Sequence, residues 1–248
     1  MWFLEPPPPT NIYYWLIEPL QTHFSELHES WWPIVDDWYS SGVGREVENF
    51  LAKRGRASSM CLMPRRPLRS FDLTPLHDVR VVILGDHPSP IGNVSDGLAF
   101  SSRLTRQYCR ATADICDELK RDLGIADNDL SGLDHWASRG VLLLNRVLTT
   151  EHKNGTAHVG VGWEQLTDTV IRILADDPVP KVFMLWGRAS RTKASSIAES
   201  GNSHLVLESW GPGFAHRQGP DGFVGCGHFG KAKEFVERNG GILNWKRS

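Results

Sequence analysis

Cysteine is scarce in this chain, and what is missing around it narrows the function. The four cysteines, Cys61, Cys109, Cys116 and Cys226, include no Cys-x-x-Cys pair. A disulfide framework, a zinc site and an iron–sulfur cluster are therefore not expected. No cluster of His, Cys, Asp or Glu has metal-ligand spacing, so no metal is expected. Neither a Walker lysine loop nor a Gly-x-Gly-x-x-Gly turn occurs, so no nucleotide cofactor, and no cofactor of any kind, is expected. No apolar run approaches the length of a membrane span. Residues 1–9 lack a basic stretch and a cleavage site, so no signal peptide is read there and a cytoplasmic location is expected. Excess charge of one sign is also absent: 27 basic residues face 29 acidic ones. That balance leaves room for a local basic patch that binds nucleic acid. No internal repeat and no sharp break in composition divides the chain.

What is present suits a folded α/β protein. The chain has 248 residues, 40% of them hydrophobic, enough to bury a core without staples. Ten tryptophans are many for this length, and core packing accounts for most of them. Residues 1–29 read as a proline-rich arm followed by a helix from Asn11 to about His28, and residues 30–248 as a single domain. Helices are expected after Ser30, with Pro33 in the first turn, and within Val43–Lys53. Residues 53–69 break pattern, with Lys53, Arg54, Arg56, Arg65, Arg66 and Arg69 among Gly, Ser, Met and Pro. They read equally as a solvated loop or a phosphate-tracking patch. From Val79 onward strand and helix alternate, with strands at Arg80–Leu84, Val141–Leu144, Val182–Leu185 and His204–Leu207. Helices fall at Thr112–Leu123, Trp163–Leu174, Thr192–Glu199 and His228–Arg238. Short apolar strands joined by helices imply a four-stranded parallel sheet with helices on both faces, and a monomer is expected.

Each strand ends in small or polar residues. The carboxyl ends present Gly85-Asp86-His87-Pro88-Ser89-Pro90, then Asn145-Arg146, then Gly187-Arg188, then Trp210-Gly211-Pro212-Gly213-Phe214-Ala215-His216. Open α/β sheets bind ligands at this edge, so the four ends suggest one cleft holding an acid, two histidines, an amide and arginines.

In these segments the sequence resembles the uracil-DNA glycosylase superfamily, closest to its family 1 enzymes. The resemblance runs from about Ser30 to Gly241. It is carried by Val81–Ser101, Gly140–Thr149, Gly162–Val170, Val182–Gly187 and Gly222–Phe229, in the family's order and near its spacing. It implies an enzyme that flips a base out of DNA and cleaves its glycosidic bond. A carboxylate would face the cationic sugar and orient water, and a donor would stabilise the departing base. Asn145 matches the family's base-reading asparagine and Phe100 the ring that stacks on the flipped base; Pro88, Asn93 and His158 also match.

The departures fall on the chemistry. Where the family reads Gly-Gln-Asp-Pro-Tyr-His, this chain has His87 at the catalytic aspartate, Asp86 one residue earlier, and Ser89 for the tyrosine that walls off C5. In the late His-Pro-Ser-Pro-Leu motif, Gly211 stands at the histidine and Ala215 at the leucine, with His216 five residues beyond Gly211. Arg103–Arg110 replaces a proline-rich loop. Three accounts fit. Asp86, His87 and His216 are the catalytic groups of a retooled glycosylase; the site is an inactive DNA binder; or His87 captures the sugar covalently, as a histidine does in one crosslinking branch. Loss of the tyrosine ring either enlarges the pocket or is filled by Tyr108 or Trp210. Asn145, Phe100, Ser89 and Trp210 are the expected base-binding residues. Arg188, Gly211, Gly213, Phe214, Arg146 and His158 are the expected DNA-binding ones, the two arginines being readable also as surface ion pairs. The expected activity is excision of a C5-modified pyrimidine, hydroxymethyluracil or a glucosylated or plain hydroxymethylcytosine, from duplex or single-stranded DNA, with an antiphage role alongside. Conventional uracil excision in repair is the alternative.

Overall fold

The computed structural model describes residues 16–55, 62–91, 94–102, 109–126, 132–213, 219 and 221–247. Four parallel strands, β2 (Val81–Gly85), β3 (Val141–Asn145), β5 (Val182–Trp186) and β6 (Leu205–Ser209), form the main sheet in the order β3-β2-β5-β6. Two further strands, β1 (Leu62–Met63) and β4 (Thr150–Glu151), pair antiparallel beside it. β2, β3 and β5 are buried along their whole length, which is why they read as unbroken apolar runs. Successive side chains alternate between faces. Val82, Leu84, Leu142, Leu144, Phe183 and Leu185 pack in one cluster with residues of α1 (Trp32–Ser40), α2 (Val43–Gly55) and α6 (Trp163–Asp176). Val81, Ile83, Leu143, Val182 and Met184 join a second cluster with α4 (Arg110–Leu123), α5 (Asp134–Ala137) and α9 (His228–Arg238). Trp163, Leu166, Val170 and Leu174 recur at helical spacing and are fully buried.

The register matters for the site. Gly85 lies opposite Asn145, and Trp186 opposite Ser209. The strands therefore stop level with one another, and the loops after them converge on one edge.

Several elements differ from the sequence pattern. Leu20–Glu26 is a 3₁₀ helix, and Leu16, Leu20, Phe24 and Leu27 belong to the first apolar cluster together with Trp31 and Val35. The rest of the helix expected from Asn11 lies outside the described residues. The helix expected over Thr192–Glu199 is α8 (Ala194–Glu199), and a separate short helix that the pattern did not show, α7 (Arg188–Arg191), precedes it. The Thr192 hydroxyl donates to the Ala189 carbonyl at 2.6 Å and competes with the helical ladder at the break between them. α3 (Arg69–Leu73), α5, β1 and β4 are too short for periodicity to reveal. No described helix is long and apolar enough to cross a membrane.

Candidate active site

At the carboxyl edge of the sheet lies a cavity of about 280 Å³. His87, Ser89, Phe100 and Asn145 line it, with Cys109, Arg110 and Ala111 from the start of α4, and Pro212 and Gly213 from the loop after β6.

Asn145 ends β3 and is 6% exposed. No described residue hydrogen-bonds its side-chain amide. A buried amide that opens on a cavity without a protein partner is poised to pair with a ligand, because leaving it unpaired is costly. Gly85 makes this possible. A Cβ there would lie 2.5 Å from Asn145 Oδ1 and 3.0 Å from the Phe100 ring.

Phe100 sits at φ 60°, a left-handed backbone that aromatic residues rarely adopt. A buried network holds its turn. Asp96 accepts from the Leu98 amide at 3.2 Å and the Ser101 hydroxyl at 2.8 Å. Arg69 lies 3.0 Å from the same carboxylate and also pairs with Asp134. The Phe100 ring rests against Trp186 at 5.4 Å.

Trp186 is itself held by His228, whose Nδ1 accepts the indole N–H at 3.0 Å. Burial, assisted by Lys231, pushes the His228 imidazole down to about 4 from 6.5. The folded protein thus keeps this ring neutral where the unfolded chain protonates it. Stability is full above pH 6.5 and is lost as pH falls from 6.5 toward 4, by about 3 kcal/mol from this group. His158, also depressed by burial, acts in the same direction. Urea unfolding at pH 7.5 and pH 5 should show the loss, and His228→Gln should flatten it.

The structure corrects several assignments. Asp86 does not line the cavity. Its carboxylate caps α7, accepting from Ala189 N at 3.2 Å, Ser190 N at 2.8 Å and Ser190 Oγ at 2.6 Å. It is an anchor for the loop and not the carboxylate that faces a sugar. His158 is fully buried between Thr149 Oγ1 (2.8 Å) and Glu151 Oε1 (3.4 Å), so it touches no DNA. Arg146 is tied to the Ala189 carbonyl at 3.4 Å and to Asp168 at 3.7 Å, joining β3, α6 and α7 instead of a phosphate. Trp210 stands outside the cavity lining, where the Arg191 guanidinium lies 5.7 Å from its ring centre. It therefore does not replace the missing tyrosine ring. Arg69 is spent on a buried ion pair with Asp96, while Arg54, Arg65 and Arg66 pair from half-buried positions with Glu151, Glu18, and Glu26 and Asp72; Lys53 is exposed, and Arg56 lies outside the described residues.

Of the other expected residues, Ser89 and Gly213 line the cavity, and Arg188 and Gly211 do not. Ser89 lines the cavity with only a hydroxyl, which accepts from Ile91 N at 3.3 Å. Arg188 is exposed, with no described partner, at the start of α7. Gly213 lines the cavity and donates its amide to Asp114 at 2.7 Å; Gly211 is buried beside Pro212. His216, Phe214, Asn93 and Tyr108 lie outside the described residues. Sequence reasoning missed Arg69, Asp96 and the Trp186–His228 pair. Asp96 sits immediately before the Gly-Leu-Ala-Phe segment, the one local hint of a turn anchor.

No family model matches the sequence. Curated relatives do. The chain is 39% identical over 225 residues to the uracil-DNA glycosylase of Rhizobium meliloti, covering 89% of this chain and 90% of that protein. It is 34% identical over 224 residues to the uracil-DNA glycosylase of Pseudomonas syringae pv. syringae, covering 89% and 95%. Among solved structures, the fold is similar to mimivirus UNG in complex with UGI, with a TM-score of 0.78, 19% identity and 97% of both chains covered. It is also similar to UNG from Nitratifractor salsuginis, with a TM-score of 0.53, 16% identity, and 76% and 87% covered.

Proposed function

This chain belongs to the uracil-DNA glycosylase family and is a DNA N-glycosylase, and from that premise we propose that it flips a pyrimidine nucleotide into the cavity beside Phe100 and Asn145 and hydrolyses the bond to deoxyribose. The observation that carries this is the Asn145 amide, buried, unpartnered among the described residues and opening on a cavity. Phe100 supplies the stacking face, and the exposed Arg188 supplies a cation for the DNA backbone. The relatives' names favour uracil as the base, and repair is the role such excision would serve.

One feature favours a second base. Ser89 lines the cavity where the family carries a tyrosine ring, and Trp210, which lies elsewhere, does not fill the gap. A wall of this kind suits a pyrimidine with a C5 substituent larger than methyl, such as hydroxymethyluracil or a glucosylated hydroxymethylcytosine. Excision of such bases from phage DNA would be a defence function, and that extension rests on the second base alone.

Duplexes carrying uracil, hydroxymethyluracil, hydroxymethylcytosine or its glucoside, treated with the protein and then with alkali, separate the two. Faster strand breakage at uracil supports the repair enzyme, and faster breakage at a bulky base supports the enlarged pocket. Ser89→Tyr should then slow bulky-base excision about tenfold by overpacking the wall, and leave uracil excision within a few-fold. Intact strands with every duplex would overturn the proposed activity.

A further inference from the structure

Glycosidic hydrolysis needs a group that takes a proton from water. Among the described residues that line the cavity, none is Asp or Glu. Asp86, the nearest acid in sequence, is committed to α7. Among the described residues of the lining, this leaves His87. Nδ1 lies 3.0 Å from the Pro88 carbonyl oxygen. A carbonyl only accepts, so the proton sits on Nδ1, and the neutral ring carries its lone pair on Nε2. No described residue hydrogen-bonds Nε2. The ring is also packed tightly against Gly155, where a Cβ would lie 2.6 Å from Cε1. Two contacts from different loops thus hold the imidazole in one orientation, with its basic nitrogen free of protein partners among the described residues.

We propose that His87, as the Nδ1–H tautomer, is the catalytic base of this glycosylase and does the work of the family's carboxylate. The water oxygen bonds to C1′ as the glycosidic C1′–N bond breaks. The bonding pair leaves with the base, and the water proton goes to Nε2. The imidazolium then returns that proton to the base anion through solvent. A neutral base does not stabilise a cationic sugar as a carboxylate does. Attack by water therefore has to accompany departure of the base more closely than in a carboxylate site.

This assignment rests on the proposed activity, and the test keeps the two apart. Single-turnover excision is measured for the wild-type protein on the best duplex of the panel, then for His87→Asn and His87→Ala. Asparagine can keep the donor to Pro88 but has no basic nitrogen. Both variants should lose about 100-fold or more in the chemical step, with the melting temperature and the affinity for a duplex bearing an uncleavable analogue nearly unchanged. Added imidazole should restore His87→Ala at least tenfold and do nothing for the wild type, a rescue that a merely structural histidine would not show. Wild-type cleavage with His87→Asn within threefold of it would overturn the base assignment and leave the glycosylase standing. An adduct of wild-type protein and DNA that survives SDS would also overturn it, in favour of direct attack by the ring. No cleavage by the wild type on any duplex would overturn the activity itself.

Discussion

Gly85→Ala is expected to abolish most base excision in a protein that still folds. The new Cβ would sit 2.5 Å from Asn145 Oδ1 and 3.0 Å from two atoms of the Phe100 ring. Real Cβ atoms do not approach that closely, so something must move. All three of these nearest atoms belong to side chains and none to backbone. The sheet pairing of Gly85 with Asn145 can therefore survive while the amide and the ring are pushed off their marks. In the proposed activity those two groups read and stack the base, and preorganised contacts of this kind are worth about a hundred- to a thousandfold in rate. Single-turnover kinetics should show that loss, with a melting temperature within a few degrees of wild type. Excision within tenfold of wild type would mean that the base does not bind between Asn145 and Phe100.

The largest effect on stability is expected from Arg69→Met. Arg69 is 3% exposed and Asp96 2% at the side chain, and they meet at 3.0 Å. Methionine fills much of the volume but removes the charge. Asp96 would keep its bonds from Leu98 and Ser101 and lose the cation that offsets its burial. Breaking one side of a buried pair costs about 3–5 kcal/mol. For a chain of this size each kcal/mol lowers the melting temperature by about 2–4 °C, so a fall of roughly 10 °C is expected. Excision should weaken with it, because the same network holds the Phe100 turn. Adding Asp96→Leu should recover part of the stability, since the uncompensated charge goes with it. A loss below about 1 kcal/mol in urea unfolding would show that solvent, not Arg69, satisfies Asp96.

Pattern in the chain was enough for the sheet and most of its helices. Val81–Leu84, Val141–Leu144 and Val182–Leu185 are short apolar runs between breakers, and α4, α6 and α9 carry their apolar residues at helical spacing. Such signals are local, so they survive without knowledge of the rest of the molecule. The same locality placed Asn145, His87 and Ser89 at strand ends on one edge, the resemblance supplied Phe100, and the cavity gathers all four.

What a side chain does there is not local. Asp86 and His87 are neighbours in sequence, and both read as candidates for chemistry. One turns to the α7 amides 103 and 104 residues later, and the other lines the cavity. His158 looked like a loop histidine until Glu151 and Thr149 closed around it. Arg69 looked like a surface cation until Asp96, 27 residues on, and Asp134, 65 residues on, were packed against it. Apolar periodicity reports which face of an element is buried, because burial repeats along the chain. The partner of a polar group is a single long-range contact with no repeat, and only the folded chain decides which polar groups stabilise the protein and which stay open to DNA.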